Sequence, residues 1–421
     1  MKDILTVTGT GDSLFTAEFP AEYSSLMQPV AALIKSCDVR MTNLETNLSD
    51  FQHFASAYSG GTWINTPTAC FEYLLRFGFN YFGTANNHAM DYSYGGLLST
   101  IDTLDKYQVA HSGTGRSLDE AEAPAILEAN GLKVAIFAVD CSFKDASRAG
   151  RATHHIPARP GVNYLRHERL YKISPEEMAL LKQLALQTKI NFTRQMSIDT
   201  GFLTPDPEGI FVMGEQKYTS DPNAKETVCN PKDKERILGL IRQAKAACEY
   251  VFLLVHCHDN DGVKHSNPAD YLREFAYACI DAGVSAIFGG GCHELRPREF
   301  YRDCPIYYSL GDFIYQGLTV KHLPADFMEK YNTDIFATAP EALLARSRGN
   351  KVGLHLHKEN YQTILPKLTF RNGKLDDCQE VPVYLTFDRK DEMNGLPQIA
   401  TGTEKEEIEH IWQKLNSSFK L

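Results

Sequence analysis

The chain has no run approaching about 18 uninterrupted apolar residues, which argues against a membrane span. Its opening stretch, MKDILTVTGTGDSLF, holds one lysine followed by an acid and no long apolar segment, so it does not read as a secretory signal. A basic excess is also missing. The 43 Lys and Arg residues face 53 Asp and Glu, and the resulting net charge of −10 is the wrong sign for wrapping nucleic acid. No internal repeat or low-complexity segment stands out. The ten cysteines are scattered without a CxxC pair, which fits reduced thiols in a cytoplasmic protein better than a disulfide framework. What is present is 421 residues, 43% hydrophobic and 11% aromatic, enough to bury a sizeable core in one large domain or two to three ordinary ones.

Short apolar runs alternate with helical patterns over the first 140 residues. Ile4 to Thr8 reads as a buried strand followed by a polar loop, Gly9-Thr10-Gly11-Asp12. Helical spacing over 21–36 leads to a strand at Val39–Leu44, helix 67–77 to strand 79–83, and helix 93–107 follows. Asn130-Gly131 between two apolar runs predicts a hairpin. Residues 142–232 are richer in Pro, Arg, Thr and His, show one clear helix near 175–188, and read as an insertion or lid. Alternation resumes with helix 231–247, strand 250–255, helix 268–282 and strand 285–288; strands near 297–301 and 305–308 come next. From about 350 the pattern is β-like, beginning with Leu354-His-Leu-His357, and an amphipathic helix spans 403–418. The expected division is one domain over 1–401, with the insertion at 142–232, and a C-terminal helix over 402–421 packed on it.

Five strand candidates end in side chains able to bind a metal or move a proton: Asp12, Glu45, Asn87-His88, His256-Cys257-His258 and His293. Ligands of open α/β sheets bind beyond the carboxyl ends of the strands, so these tips can converge. Oxygen and imidazole donors together suit a divalent transition metal such as Mn, Zn or Fe. Each residue also has a plainer reading. Asp12 can end a turn or cap a helix, Glu45 can be a solvated loop end, and a histidine in a glycine loop is commonly just hydrogen-bonded. His256 and His258 would point to opposite faces of a continuing strand and share a site only if the strand has broken. Cys292 reads as a small buried filler, and His154, His155, His167, His355 and His357 as structural or surface residues.

The ordered series Gly11-Asp12, Asn43-Leu44-Glu45, Ala85-Asn86-Asn87-His88-Ala89-Met90-Asp91, His256-Cys257-His258, Gly289 to His293 and Pro305 to Phe313 resembles the poly-γ-glutamate capsule biosynthesis (CapA-type) proteins. That resemblance implies a calcineurin-like metallophosphatase fold, a four-layer αββα sandwich, here with an inserted lid and a β-rich C-terminal part. It implies Asp12, Glu45, Asn87, His256 and His293 as metal positions, with His258 in the adjacent loop, and one or two ions. Leu14 and Gly290 stand where the family has histidines, and Asp312 where it has asparagine. It further implies hydrolysis by a metal-activated water, most simply of a phosphoester, with His88 as acid or electrostatic partner. Asp91 would orient His88 or cap helix 93–107, and Arg296 would hold a substrate oxyanion. The alternatives are hydrolysis of a γ-glutamyl or peptide-like amide, and a non-catalytic binding protein. The expected partner is a small or polymeric anionic substrate.

Overall fold

The computed structural model describes residues 4–389 and 391–419. It is a mixed α/β structure with several sheets. In the larger, eight-stranded sheet the path runs Pro397–Ile399, Lys374–Leu385, Gln362–Arg371, Ile4–Leu14, Val39–Leu44, Tyr81–Gly83 and Ala110–Ser112, with Asp312–Tyr315 also pairing with Ile4–Leu14. A six-stranded sheet runs Leu295–Tyr301, Cys304–Leu310, Ala286–Gly291, Tyr250–Cys257, Leu132–Asp140 and Ala125–Ala129.

One apolar cluster joins the two sheets, with Leu5, Val7 and Met41 from the first meeting Ile136, Phe252 and Phe288 from the second. A second cluster packs the six-stranded sheet against the helices Pro231–Ala247 and Asp270–Ala282, and a third packs the eight-stranded sheet against Ser24–Lys35 and Phe71–Leu75. The central strand Tyr250–Cys257 is buried at every position, as a parallel strand covered on both faces must be.

Parallel pairing decides where the tips lie. Ile4–Leu14, Val39–Leu44 and Tyr81–Gly83 run parallel in one sheet, and Leu132–Asp140, Tyr250–Cys257 and Ala286–Gly291 run parallel in the other. Within each sheet the carboxyl ends of these strands therefore fall on a common edge.

Several sequence expectations change. The first strand does not stop at Thr8 but runs to Leu14, with shifts in register around Gly9/Asp12 and Asp12/Ser13. Glycine permits this, because a Cβ on Gly11 would lie 1.8 Å from the Gly311 carbonyl oxygen. The segment Leu354–Leu356 is a 3-10 turn rather than a strand, and two helices unmarked in the sequence reading, Ala325–Lys330 and Ala339–Arg346, precede it. Residues 142–232 hold a second helix, Phe192–Asp199, and a small four-stranded sheet. That sheet packs against the helix Asp270–Ala282, where Tyr271 stacks on His167 at 4.2 Å. The C-terminal helix Gly402–Ser418 packs on the strands Leu295–Tyr301 and Lys374–Leu385, and Trp412 donates to Glu380 at 2.7 Å.

Candidate metal centre

The two edges bring together buried groups that are otherwise far apart in the chain. Asp12, Glu45, His293 and Asp312 offer ligand atoms that all lie within 4.8 Å of one another, and Glu45, His258 and His293 do the same. Asp12 is fixed by short bonds: the Asn43 amide donates to Oδ1 at 2.6 Å and the Gly291 N–H to Oδ2 at 2.6 Å. His293 Nδ1 lies 3.0 Å from Asp312 Oδ1, and its backbone is held at φ +63, in the left-handed region that non-glycine residues seldom occupy. Glu45 differs from these neighbours. It is fully buried, and neither carboxylate oxygen has a hydrogen-bond partner.

His256 and Asn87 adjoin this cluster. His256 Nε2 is 2.8 Å from Asn87 Oδ1 and 3.5 Å from Glu45 Oε1, while Nδ1 is 3.5 Å from Asp12 Oδ1. The strand ends at Cys257, so His258 turns back toward the same place, its ring 5.1 Å from that of His256 and 5.5 Å from that of His293. His258 Nε2 is likewise buried without a partner.

His88 and Asp91 form a separate unit. His88 Nδ1 sits 2.6 Å from Asp91 Oδ2, and Asp91 also accepts from the backbone N–H groups of Gly60 and Ile64 at 3.0 and 2.8 Å. Asp91 accepts nothing from the helix Ser93–Lys106, so its capping reading gives way to the orienting one. His88 Nε2 is left 3.9 Å from Glu45 Oε1.

The electrostatics follow from packing so many acids in a dry place. Burial, and then the charges of Asp12, Asp312, Asp91 and Asp140, push the Glu45 carboxyl well above its usual range. Asp312 is raised by burial against the opposing charge of His293, and Asp140 is raised by burial to about 6. Burial acts on Asp12 in the same direction, but His256, His293 and the Asn43 bond outweigh it and leave the carboxyl lowered. His258 is held well below the usual imidazole range by burial and by the neighbouring His256 and His293, which keeps it neutral.

Three acids, neutral imidazole and two orphaned donor residues fit a divalent cation. An unpaired buried charge costs several kcal/mol, and coordination removes that penalty. The missing histidines are also explained. A Cβ at Gly290 would come within 2.4 Å of Asp12 Oδ1, so a histidine there could not coexist with this Asp12 position. Leu14 packs into the apolar cluster with Trp63, Ile64 and Phe327. Asp312 supplies a carboxylate that the expected ligand set omitted; the departure from asparagine at that position was its signal.

Two expectations fail. Arg296 is fully buried and its guanidinium is occupied, donating to the carbonyls of His265, Cys257, Asp259 and His258, with 2.7 Å to Asp259. It braces the loop carrying His258 and is not free to hold a substrate. Residues 142–232, read from the sequence as an insertion or lid, do not line the site's cavity. A cavity of about 480 Å³ reaches His88, His258 and His293, and its other walls come from Leu14, His265, Cys292 and residues 60–64 and 315–355, with none from 142–232. His355, read from the sequence as structural or surface, is half-buried and lines this cavity. Cys292 also lines it, but burial raises its thiol and Sγ donates to the Glu294 carbonyl at 3.3 Å, as a buried filler would.

Two Sinorhizobium fredii proteins, named uncharacterized protein y4sH and uncharacterized protein y4uA, are each 28% identical over 428 residues, covering 99% of this chain and 90% of their own. The PGA biosynthesis protein CapA of Bacillus subtilis is 25% identical over 300 residues, covering 70% of this chain and 58% of its own. A crystal structure of a hypothetical protein from Thermus thermophilus superposes with a TM-score of 0.41 at 11% identity, covering 90% of this chain and 98% of the other. Residues 3–317, which contain all the strand ends that converge on this cluster, match the bacterial capsule synthesis protein PGA_cap, and the chain belongs to that family.

Proposed function

We propose that the protein is a metal-dependent hydrolase of CapA/metallophosphatase type acting on a phosphoester-type substrate. The observation that carries this is Glu45, whose two buried oxygens are unpartnered among Asp12, His258, His293 and Asp312. These five residues would hold one or two ions of Mn, Zn or Fe, with His256 and Asn87 completing or buttressing the set. When bound, such an ion supplies Lewis acidity and lowers the pKa of water toward neutrality. The two packed sheets, with helices on their outer faces, support the four-layer αββα arrangement. Residues 1–401 are taken as one domain with 142–232 inserted, and 402–421 as a helix added to it, of which 420 and 421 lie outside the described residues. The ten free cysteines support a cytoplasmic setting, and no helix among the described residues is long and apolar enough to cross a membrane.

In this reading the protein's own groups divide the work. Asp91 fixes the His88 ring through Nδ1, and two backbone N–H groups fix Asp91. Nε2 of His88, which lines the cavity, carries the proton given to the leaving oxygen. Arg296 holds the His258 loop in place from behind. The walls from 60–64 and 315–355 exclude water and bind the remainder of the substrate.

The test is elemental analysis of the purified protein, followed by turnover of phosphomonoesters, phosphodiesters and γ-glutamyl amides. Metal uptake with phosphoester hydrolysis lost in His88→Ala supports the proposal. Turnover of the amide alone, which the name of the Bacillus relative motivates, replaces the substrate class. No metal uptake and no thermal stabilisation by Mn, Zn or Fe leaves a binding protein and ends the enzymatic reading.

A further inference from the structure

The wall contributed by residues 315–355 carries a positive charge, Arg346, that is not neutralised by a carboxylate of the described residues. Arg346 ends the helix Ala339–Arg346, which starts from a capping box between Thr338 and Glu341. It lines the cavity, and its Nη1 donates to the Thr62 hydroxyl across the opening segment 60–64. No carboxylate among the described residues pairs with it, whereas Arg151, Arg166 and Arg236 are each held by an acid. His355 lines the same cavity, and its Nε2 is buried without a partner. Gly353, at φ +134, lets that ring fold back over the chain, since a Cβ there would meet it at 2.7 Å. Burial and then the charge of Arg346 keep His355 below the usual imidazole range, so it is a neutral hydrogen-bonding group. Between this wall and the acid cluster stands Tyr315, its ring 5.8 Å from that of His293, its phenol kept protonated by burial. An unpaired guanidinium, an orphaned imidazole nitrogen and a phenol, all lining one cavity, are groups able to hold an oxyanion.

We propose that Arg346, with His355 and Tyr315, binds a second anionic group of the substrate, a carboxylate or phosphate set apart from the bond that is broken. The assignment rests on the acid and histidine cluster being the reactive end of the cavity. Arg346 and His355 lie beyond residues 3–317 and Tyr315 within them, so two of the three groups belong to a part of the chain outside the family match. Arg346 is a specificity-determining residue for the reaction.

Non-hydrolysable probes test this by calorimetric titration of the full-length, Mn-loaded protein. Propylphosphonate offers one anionic end, and 3-phosphonopropionate adds a carboxylate. The expected result is roughly tenfold or greater tighter binding of the second probe, the range of one hydrogen bond to a charged group. Arg346→Met should abolish that difference while leaving propylphosphonate unchanged, and Arg346→Lys should restore part of it. Glutarate against butyrate, and propane-1,3-bisphosphonate against propylphosphonate, then tell whether the second group is a carboxylate or a phosphate. The proposal is overturned by equal affinity for the two probes in the unaltered protein. It is also overturned if Arg346→Met weakens both equally, which would make Arg346 only a brace for Thr62. Propylphosphonate binding that ignores added Mn sinks the metal reading instead, and leaves any Arg346-dependent difference standing. If the methionine variant does not fold, as melting would show, the lysine variant carries the comparison.

Discussion

The insertion over 142–232 and the strand ends beneath the cavity are both rich in charge, but they treat it in opposite ways. In the insertion, Arg151 is held by Asp119 and Glu122, Arg166 by Asp233, and Arg159 donates to the Arg148 carbonyl. Each of these three arginines has its partner within the protein. At the strand ends Glu45 has no partner, His258 lacks one at Nε2, and Asp140 leaves Oδ2 unpaired. Native proteins satisfy nearly all buried polar atoms, so a cluster of exceptions marks a place that something else completes. By the same criterion Arg296, buried and donating to four carbonyls, belongs with the structural charges although it follows a candidate ligand by only three residues.

The largest effect should come from Glu45. Glu45→Gln should lower metal content and reduce kcat/KM by roughly three orders of magnitude, since the metal contributes several kcal/mol to the transition state. The same substitution should stabilise the metal-free protein in thermal melting at pH values above the folded pKa of this carboxyl, because a buried charge without a hydrogen-bond partner is removed there. The sign with pH is fixed. A carboxyl raised above 4.5 in the folded state binds more protons there than in the unfolded chain. Metal-free stability should therefore fall as pH rises from about 4.5 through the folded pKa, and the variant's curve should be flatter. A variant less stable than the parent without metal at those pH values would mean that Glu45 is a satisfied structural acid.

His88→Ala should cost roughly 10²- to 10⁴-fold in kcat with metal content retained, as expected for a lost general acid. Asp91→Asn should cost less, about 10- to 100-fold, since it disturbs only the orientation of the imidazole. Equal loss of metal in both variants would place His88 among the ligands and undo its separation from the cluster.

Much of this architecture is legible in the amino-acid order because local signals agree with it. Ser174 and Glu177 form a capping box with Pro175 behind it, and Asn230 caps a helix opened by Pro231, so both helices could be bounded by inspection. Val39–Leu44 likewise reads as a strand candidate ending at Glu45. The convergence of the tips needed only parallel strands. What could not be read depends on partners distant in sequence. Arg296 looks like a phosphate ligand until the carbonyls of the 257–265 loop are seen around it. Arg346 and His355 gain meaning only from residues 14–64 and 258–293, which share their cavity. The short helices Ala325–Lys330 and Ala339–Arg346 place them there, and helices so short have little periodicity to detect. Residues 142–232 look like a lid because they are basic and irregular, yet their arginines are used to hold the insertion to itself and to its neighbours.

Within the insertion the expected effects are small. Arg151→Ala should change stability by about 1 kcal/mol or less, since its pair with Asp119 is exposed and Glu122 keeps Arg236 as a partner, and it should leave kcat/KM unaltered. A clear fall in kcat/KM would return the insertion to the substrate path.

The smallest effect concerns the seam between the two regions, where His167 of the insertion meets Asp259, one residue beyond His258. His167 Nε2 lies 3.1 Å from Asp259 Oδ2, and Tyr271 also donates to that carboxylate at 2.8 Å. Burial alone would lower His167, but Asp259 outweighs it and raises the imidazole above 6.5. Burial would raise Asp259, and His167 with Tyr271 bring it below 3.8 instead. A histidine raised on folding contributes stability that is fully present below pH 6.5 and is lost as pH climbs through the folded value. The depressed aspartate contributes above 3.8 and loses its share only as pH falls through its own folded value. The seam should accordingly be tightest between those limits. His167→Gln should lower the melting temperature more at pH 5.5 than at pH 8.5, with hydrogen exchange rising first in the strand His167–Lys172. Equal destabilisation at both pH values would mean that His167 holds the insertion by its stack on Tyr271 and not by its charge.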